Sequence, residues 1–264
     1  MKITVLLENT AAQENILSEH GLSLYIQTDD HNILFDMGQT DAFAWNAEAL
    51  GIDLRDVDIA FLSHGHYDHG GGLARFLEIN DHAPVYLNRR AFGEYYHGPE
   101  KYIGLAKALK QSARLRYADE DLIIDPTLSL HAQNTAPLAR PICPFGLSEL
   151  QNGIHIPDTF AHEQYLLIRE GEKTVLVSGC AHKGVVNISR WFDPDVLIGG
   201  FHLTKLNPDS SADRDELESI AHELLSARAT YYTGHCTGDH VYAFLKERMG
   251  ERLHNLSAGL TFEI

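Results

Sequence analysis

Hydrophobic residues fall into strand-length stretches that open directly into polar turns. Residues 2–8 and 22–28 (Leu22-Ser23-Leu24-Tyr25-Ile26-Gln27-Thr28) alternate or run apolar, and Asn32-Ile33-Leu34-Phe35-Asp36 follows the polar turn Asp29-Asp30-His31. Such spacing predicts an antiparallel start. A helix is predicted over about 40–50, ended by Gly51, after which Val57–Ser63 reads as a buried strand running straight into histidines. Gly70-Gly71-Gly72 then releases the chain into a short helix from Leu73 to Ile79.

Val85-Tyr86-Leu87 is a further strand, whereas 91–118 is aromatic and basic in patches (Tyr95, Tyr96, Tyr102, Lys107, Lys110, Arg114) and reads as an inserted helical or loop region. The second half repeats the strand-then-loop habit at 164–168, 174–178, 195–198 and 229–233, with helices predicted over 183–191, 212–227 and 239–249. Strands followed by helices in both halves suggest two sheets packed face to face with helices outside. No Pro/Gly/Ser linker or short repeat divides the chain, so residues 1–264 are expected to form one α/β domain.

Composition narrows the partners. With 44% hydrophobic residues in 264, a substantial core is possible, and 21 Lys+Arg against 37 Asp+Glu give a formal charge of −16. That charge disfavours nucleic acid and anionic membrane surfaces, leaving a small-molecule substrate as the expectation. The N-terminal stretch lacks a long apolar run and a cleavage site, and three cysteines (Cys143, Cys180, Cys236) do not make a disulfide framework, so a cytoplasmic protein in a reducing compartment is expected.

Histidine is the unusual residue, with 16 copies, and the densest group is Ser63-His64-Gly65-His66-Tyr67-Asp68-His69. His64 and His66, two apart beyond a strand, project to the same side of extended backbone and suit one metal ion. Asp68 and His69 follow in the next turn, close enough to serve a second. Imidazole and carboxylate are ligands for zinc, with iron and manganese as alternatives, so two divalent ions are the expected cofactors.

This His-x-His-x-Asp-His run after an apolar strand resembles the signature of the metallo-β-lactamase superfamily. The resemblance implies a four-layer αβ/βα sandwich with metals at one edge. It implies further that Asp36, in Phe35-Asp36-Met37-Gly38, orients the ligand loop rather than binding metal, and that His235, in Thr233-Gly234-His235-Cys236, is a ligand of the second ion. Cys180, in Ser178-Gly179-Cys180-Ala181-His182, stands where relatives carry an Asp or Cys and is a candidate thiolate ligand. His182 is favoured to complete the first ion's histidine set, with His162 as its competitor. Together with Leu7-Glu8-Asn9-Thr10 and Gly199-Gly200-Phe201-His202-Leu203, these segments are similar to the dihydropteroate-synthase-like branch, which includes a pterin-type synthase.

A metal-dependent hydrolase of a small anionic substrate is the first expectation, a pterin-type transferase the alternative. Asp68 is the candidate to guide the nucleophile's proton, and His202 is a candidate substrate-facing or acid/base group. Lys183, Lys101 and Arg140 are candidates to neutralise substrate charge. A di-iron redox protein and a noncatalytic binding module are the competing classes; the first needs an electron donor, and the second is opposed by the intact histidine motif.

Overall fold

A computed structural model describes residues 1–264, and two seven-stranded sheets dominate it. The first runs in the order Thr261–Glu263, Lys2–Leu7, Ser23–Gln27, Asn32–Phe35, Ile59–Phe61, Val85–Asn88, Leu115–Ala118. Its early strands pair antiparallel, and from Asn32–Phe35 onward the pairing is parallel. The second sheet follows the same plan: Leu122–Ile123, Leu128–His131, Tyr165–Glu170 and Lys173–Val177 are antiparallel, then Val196–Ile198, Thr230–Thr233 and Leu253–Asn255 are parallel.

Alternation along the strands explains the layering. Ile3, Val5, Leu24, Ile26, Ile33, Phe35, Ile59 and Phe61 point inward from the first sheet and meet Leu166, Ile168, Val175, Val177, Val196 and Ile198 of the second. Their neighbours of opposite parity, Leu6, Tyr25, Leu34 and Ala60, face outward onto Phe43 and Phe76. On the far side Leu176, Leu197 and Tyr231 do the same beneath the helices. Helix Ser211–Ser226 buries Leu217, Ile220, Ala221 and Leu224, the one-sided spacing of a helix on a sheet. The result is the expected four-layer αβ/βα sandwich.

Helices Ala42–Ala49, Leu73–Ile79, Val185–Phe192, Ser211–Ser226 and Asp239–Met249 lie where the pattern puts them. Residues 91–118 do not. They hold no α-helix: strands Tyr95–His97 and Lys101–Tyr102 join Leu147–Gln151 and Ile154–Pro157 in a separate four-stranded sheet, and Leu115–Ala118 is the edge strand of the first large sheet. Aromatic residues suit a pleated, half-buried surface, and Tyr95 is buried with its ring 3.9 Å from that of His162.

Parallel strands in each sheet deliver their carboxyl ends to one edge, where ligand sites of α/β sheets commonly form. Asp36 follows Asn32–Phe35, His64 follows Ile59–Phe61, Cys180 follows Lys173–Val177, His202 follows Val196–Ile198 and His235 follows Thr230–Thr233. The edges of the two sheets touch, with Gln164 N donating to Ser63 O at 2.8 Å.

Candidate metal centre

A chain of hydrogen bonds starts at Asp36 and sets the orientation of two imidazoles. Its buried carboxylate accepts from Ser63 N and Ser63 Oγ, each at 2.7 Å, and lies 2.7 Å from His69 Nδ1. Because the single Ser63 hydroxyl proton goes to Asp36, His64 Nδ1, 2.8 Å from Ser63 Oγ, must be the donor in that contact. His64 therefore carries its proton on Nδ1 and presents the Nε2 lone pair inward, while His69 points Nδ1 at Asp36 and leaves Nε2 as the atom that faces the centre. His235 is fixed in the same sense, with Nδ1 2.9 Å from Asn9 Oδ1 and its backbone N–H donating to Glu8.

These ring nitrogens meet others. His64 Nε2 lies 3.2 Å from His182 Nε2, and His66 completes a group whose ligand atoms are all within 4.8 Å of one another. His69 Nε2 lies 3.2 Å from His235 Nε2, and Asp68 Oδ2 is 3.4 Å from His235 Nε2 and 3.9 Å from His69 Nε2. Cys180 Sγ sits 3.0 Å from His69 Nε2 and groups with both His64 and His69. His66 Nε2 and His182 Nδ1 are buried without a hydrogen-bond partner.

Electrostatics favour the ligating forms of His64, His182 and Asp68, whereas His69 and Cys180 would release a proton on binding a cation. Burial, reinforced by neighbouring imidazoles, pushes His64 and His182 well below the ordinary histidine value, so both stay neutral. Burial alone would raise Asp68, yet the imidazoles of His20, His235 and His69 around it hold its carboxyl well below the usual range. Burial also opposes charge on His69, but Asp36 and Asp68 outweigh it and raise the ring to about 9. Burial pushes the Cys180 thiol well up, with Cys236 beside it adding to the shift. A coordinating cation reverses that preference, because it deprotonates a thiol outright.

The residues fit divalent cations. The two Nε2–Nε2 contacts converge imidazole nitrogens at the spacing a cation needs, since tetrahedral ligands at about 2.05 Å from zinc stand about 3.3 Å apart. Both imidazole pairs have nearly that separation. His64, His66 and His182 can hold one ion, and Asp68, His69 and His235 a second, with Cys180 beside both groups.

His162 is engaged elsewhere. Its Nδ1 accepts from Gly65 N at 2.9 Å and its Nε2 lies 3.2 Å from Asp158 Oδ2, so the ring clamps the loop that carries His64 and His66. Two expected substrate cations are also engaged. Lys183 is buried, its Nζ bonded to Ala132 O at 2.6 Å and Asn134 Oδ1 at 2.8 Å, where it ties segments together outside the walls of the cavity at the centre. Arg140 pairs with Glu216 and Glu223, each at 2.6 Å, and its charge is already neutralised. Lys101 does border the centre, in a cavity of about 220 Å³ whose walls include His20, Asp68, His202 and Lys205.

Several contributors carry no local mark of their role in the sequence. Glu8 and Asn9 orient His235, His20 Nε2 lies 3.3 Å from Asp68 Oδ2, and Glu163 accepts from the backbone N–H groups of His182 and Lys183. Leu7-Glu8-Asn9-Thr10 carried a family resemblance without indicating this contact. Cys236 lies beside Cys180 and His235, within one group of possible ligand atoms.

A family model described as the metallo-β-lactamase superfamily matches residues 19–140. The chain is 29% identical to the 7,8-dihydropterin-6-methyl-4-(β-D-ribofuranosyl)-aminobenzene-5'-phosphate synthase of Methanocaldococcus jannaschii, over 98% of this chain and 95% of the relative. An uncharacterized protein of that organism is 28% identical over 89% of this chain and 90% of its own. A crystal structure described as a metal-dependent hydrolase of the β-lactamase superfamily superposes with a TM-score of 0.81 at 30% identity, covering 100% of this chain and 99% of that one.

Proposed function

Starting from the fact that this chain belongs to the metallo-β-lactamase superfamily, we propose that it is a hydrolase of a small anionic substrate, dependent on two divalent cations. The observation that carries the reading is the double meeting of imidazole Nε2 atoms at 3.2 Å, His64 with His182 and His69 with His235. Neutral nitrogen and carboxylate donors favour zinc, with iron and manganese as alternatives. When bound there, such ions supply Lewis acidity toward a substrate oxygen and acidify water.

The chain's own groups supply the rest. Asp68, kept ionised by His20 and His235, accepts the proton released by the attacking water, and His20 leads from Asp68 toward solvent. Lys101 and Lys205 face the cavity, and neither forms an ion pair with a carboxylate, so they attract an anionic group. His202 offers a hydrogen bond from a buried Nε2 that has no partner in the protein.

The synthase relative supports a second reading, pterin-type transfer, because its similarity spans nearly the entire chain. The test is an activity screen of protein purified without chelator against phosphodiester, thioester, lactone and pterin substrates, each repeated after metal removal and restoration. Metal-dependent hydrolysis is expected; turnover confined to a pterin acceptor pair would select transfer, and turnover indifferent to metal would reject both.

A further inference from the structure

Behind the reaction cavity lies a second one, of about 240 Å³, and the two share Phe145, His182 and His202 as common walls. The second cavity is lined by Val185, Val186, Phe201, Leu203, Leu206 and Ile220. Its charged side chains, Arg140 and Glu216, are paired with each other at 2.6 Å, so it presents no free charge. The reaction cavity differs in charge, with Lys101 and Lys205 at its wall outside any ion pair and Asp68 in the same lining.

At the junction stands His202. It adopts φ +52°, a conformation that L residues rarely hold, and its Nε2 is buried without a partner. Its ring lies 4.2 Å from that of His182 and 5.4 Å from that of Phe145. An unpaired donor or acceptor buried at the meeting point of two cavities costs free energy unless a ligand satisfies it.

We propose that the substrate has two parts: an anionic head held over the imidazole groups, and an apolar, ring-sized body seated in the second cavity past Phe145 and His202. The inference rests on the hydrolase reading above and adds the class of substrate to it. The second cavity selects the body by offering apolar wall and no unpaired charge. His202 contacts the linkage between the two parts, and Leu206, half-buried at the wall, limits the size of the body.

The zinc-loaded protein is titrated calorimetrically with methylphosphonate, which offers the head alone, and with naphthalene-2-phosphonate, which offers head and body on a bond that cannot be hydrolysed. Naphthalene-2-phosphonate is expected to bind at least about tenfold more tightly, the gain from burying only ~60 Å² of apolar surface. Leu206→Trp, which fills the cavity, is expected to erase that gain, so that the two phosphonates bind alike. A second readout does not depend on the variant's folding. Cys143 is exposed and lines the second cavity, so alkylation by iodoacetamide, read at the peptide that carries Cys143, reports on that cavity. Naphthalene-2-phosphonate should slow that alkylation and methylphosphonate should not. Equal affinity for the two phosphonates, or a gain that survives in Leu206→Trp with Cys143 unprotected, would overturn the two-part substrate and leave the hydrolase reading standing. Failure of both phosphonates to bind the zinc-loaded protein would overturn the anionic-substrate reading and this inference with it.

Discussion

His64 Nε2 and His182 Nε2 face each other at 3.2 Å although 118 residues separate them in the chain. Ser63 and Asp36 dictate the His64 tautomer, so this is a meeting of an oriented lone pair with a second imidazole. Asp36 also holds His69, in the other imidazole group. One carboxylate thus orients a histidine in each group.

Asp36→Asn tests that arrangement. An amide cannot accept from Ser63 N, Ser63 Oγ and His69 Nδ1 together without turning an N–H toward one of them. Metal affinity is expected to fall by about 10- to 100-fold, the range typical for partners behind metal ligands. Stability should fall by about 1–3 kcal/mol through the unsatisfied buried groups. Competition with a chromophoric chelator measures the first effect, and the denaturant midpoint the second.

Gly65 separates His64 from His66, and a Cβ added there would run into the backbone carbonyl of Ala91. Gly65→Ala is expected to cost about 1–3 kcal/mol by overpacking. It should also reduce metal occupancy more than a comparable substitution at an exposed glycine such as Gly51, where a Cβ meets nothing. Elemental analysis alongside thermal melts distinguishes the local effect on the histidines from a general loss of stability.

The parts of this architecture that were legible in the sequence are those encoded within a few neighbouring residues. Strand alternation at Ile33-Leu34-Phe35 and the dense run from His64 to His69 carry their meaning locally. Glu8 and Asn9 do not: they act on His235, 227 and 226 residues away, and nothing adjacent to them marks that contact. Arg140 reads as a free cation until helix Ser211–Ser226 brings Glu216 and Glu223 to it. Lys183 sits beside a histidine of the centre, yet its side chain turns to Ala132 and Asn134. Residues 91–118 misled because patches of aromatic and basic residues have no clear period, and their strands find partners at 147–151 and at the edge of the first sheet.

Lys183→Met separates support from substrate binding. Loss of the charged hydrogen bonds to Ala132 and Asn134 is expected to cost about 2–3 kcal/mol of stability. KM for the substrate found in the activity screen should stay within about twofold, which a steady-state comparison at a temperature below the variant's melting transition checks. A large rise in KM with unchanged stability would return Lys183 to the substrate.

Metal removal should lower the melting temperature, because ions that bind only the folded chain stabilise it by mass action. At free zinc 100-fold above the dissociation constant the difference is about 2.7 kcal/mol per site. Melts at increasing zinc concentration after chelator treatment should show a continuing rise, and a melting temperature independent of zinc would contradict tight binding to the folded state.

The most direct measurement is the number of divalent ions per chain in protein purified without chelator, compared among wild type, His182→Ala and His235→Ala. Two imidazole groups predict two ions in the wild type and about one in each variant, with circular dichroism showing the fold retained. A wild type that carries no metal and takes none up, or variants that retain the full wild-type content, would contradict the proposed centre.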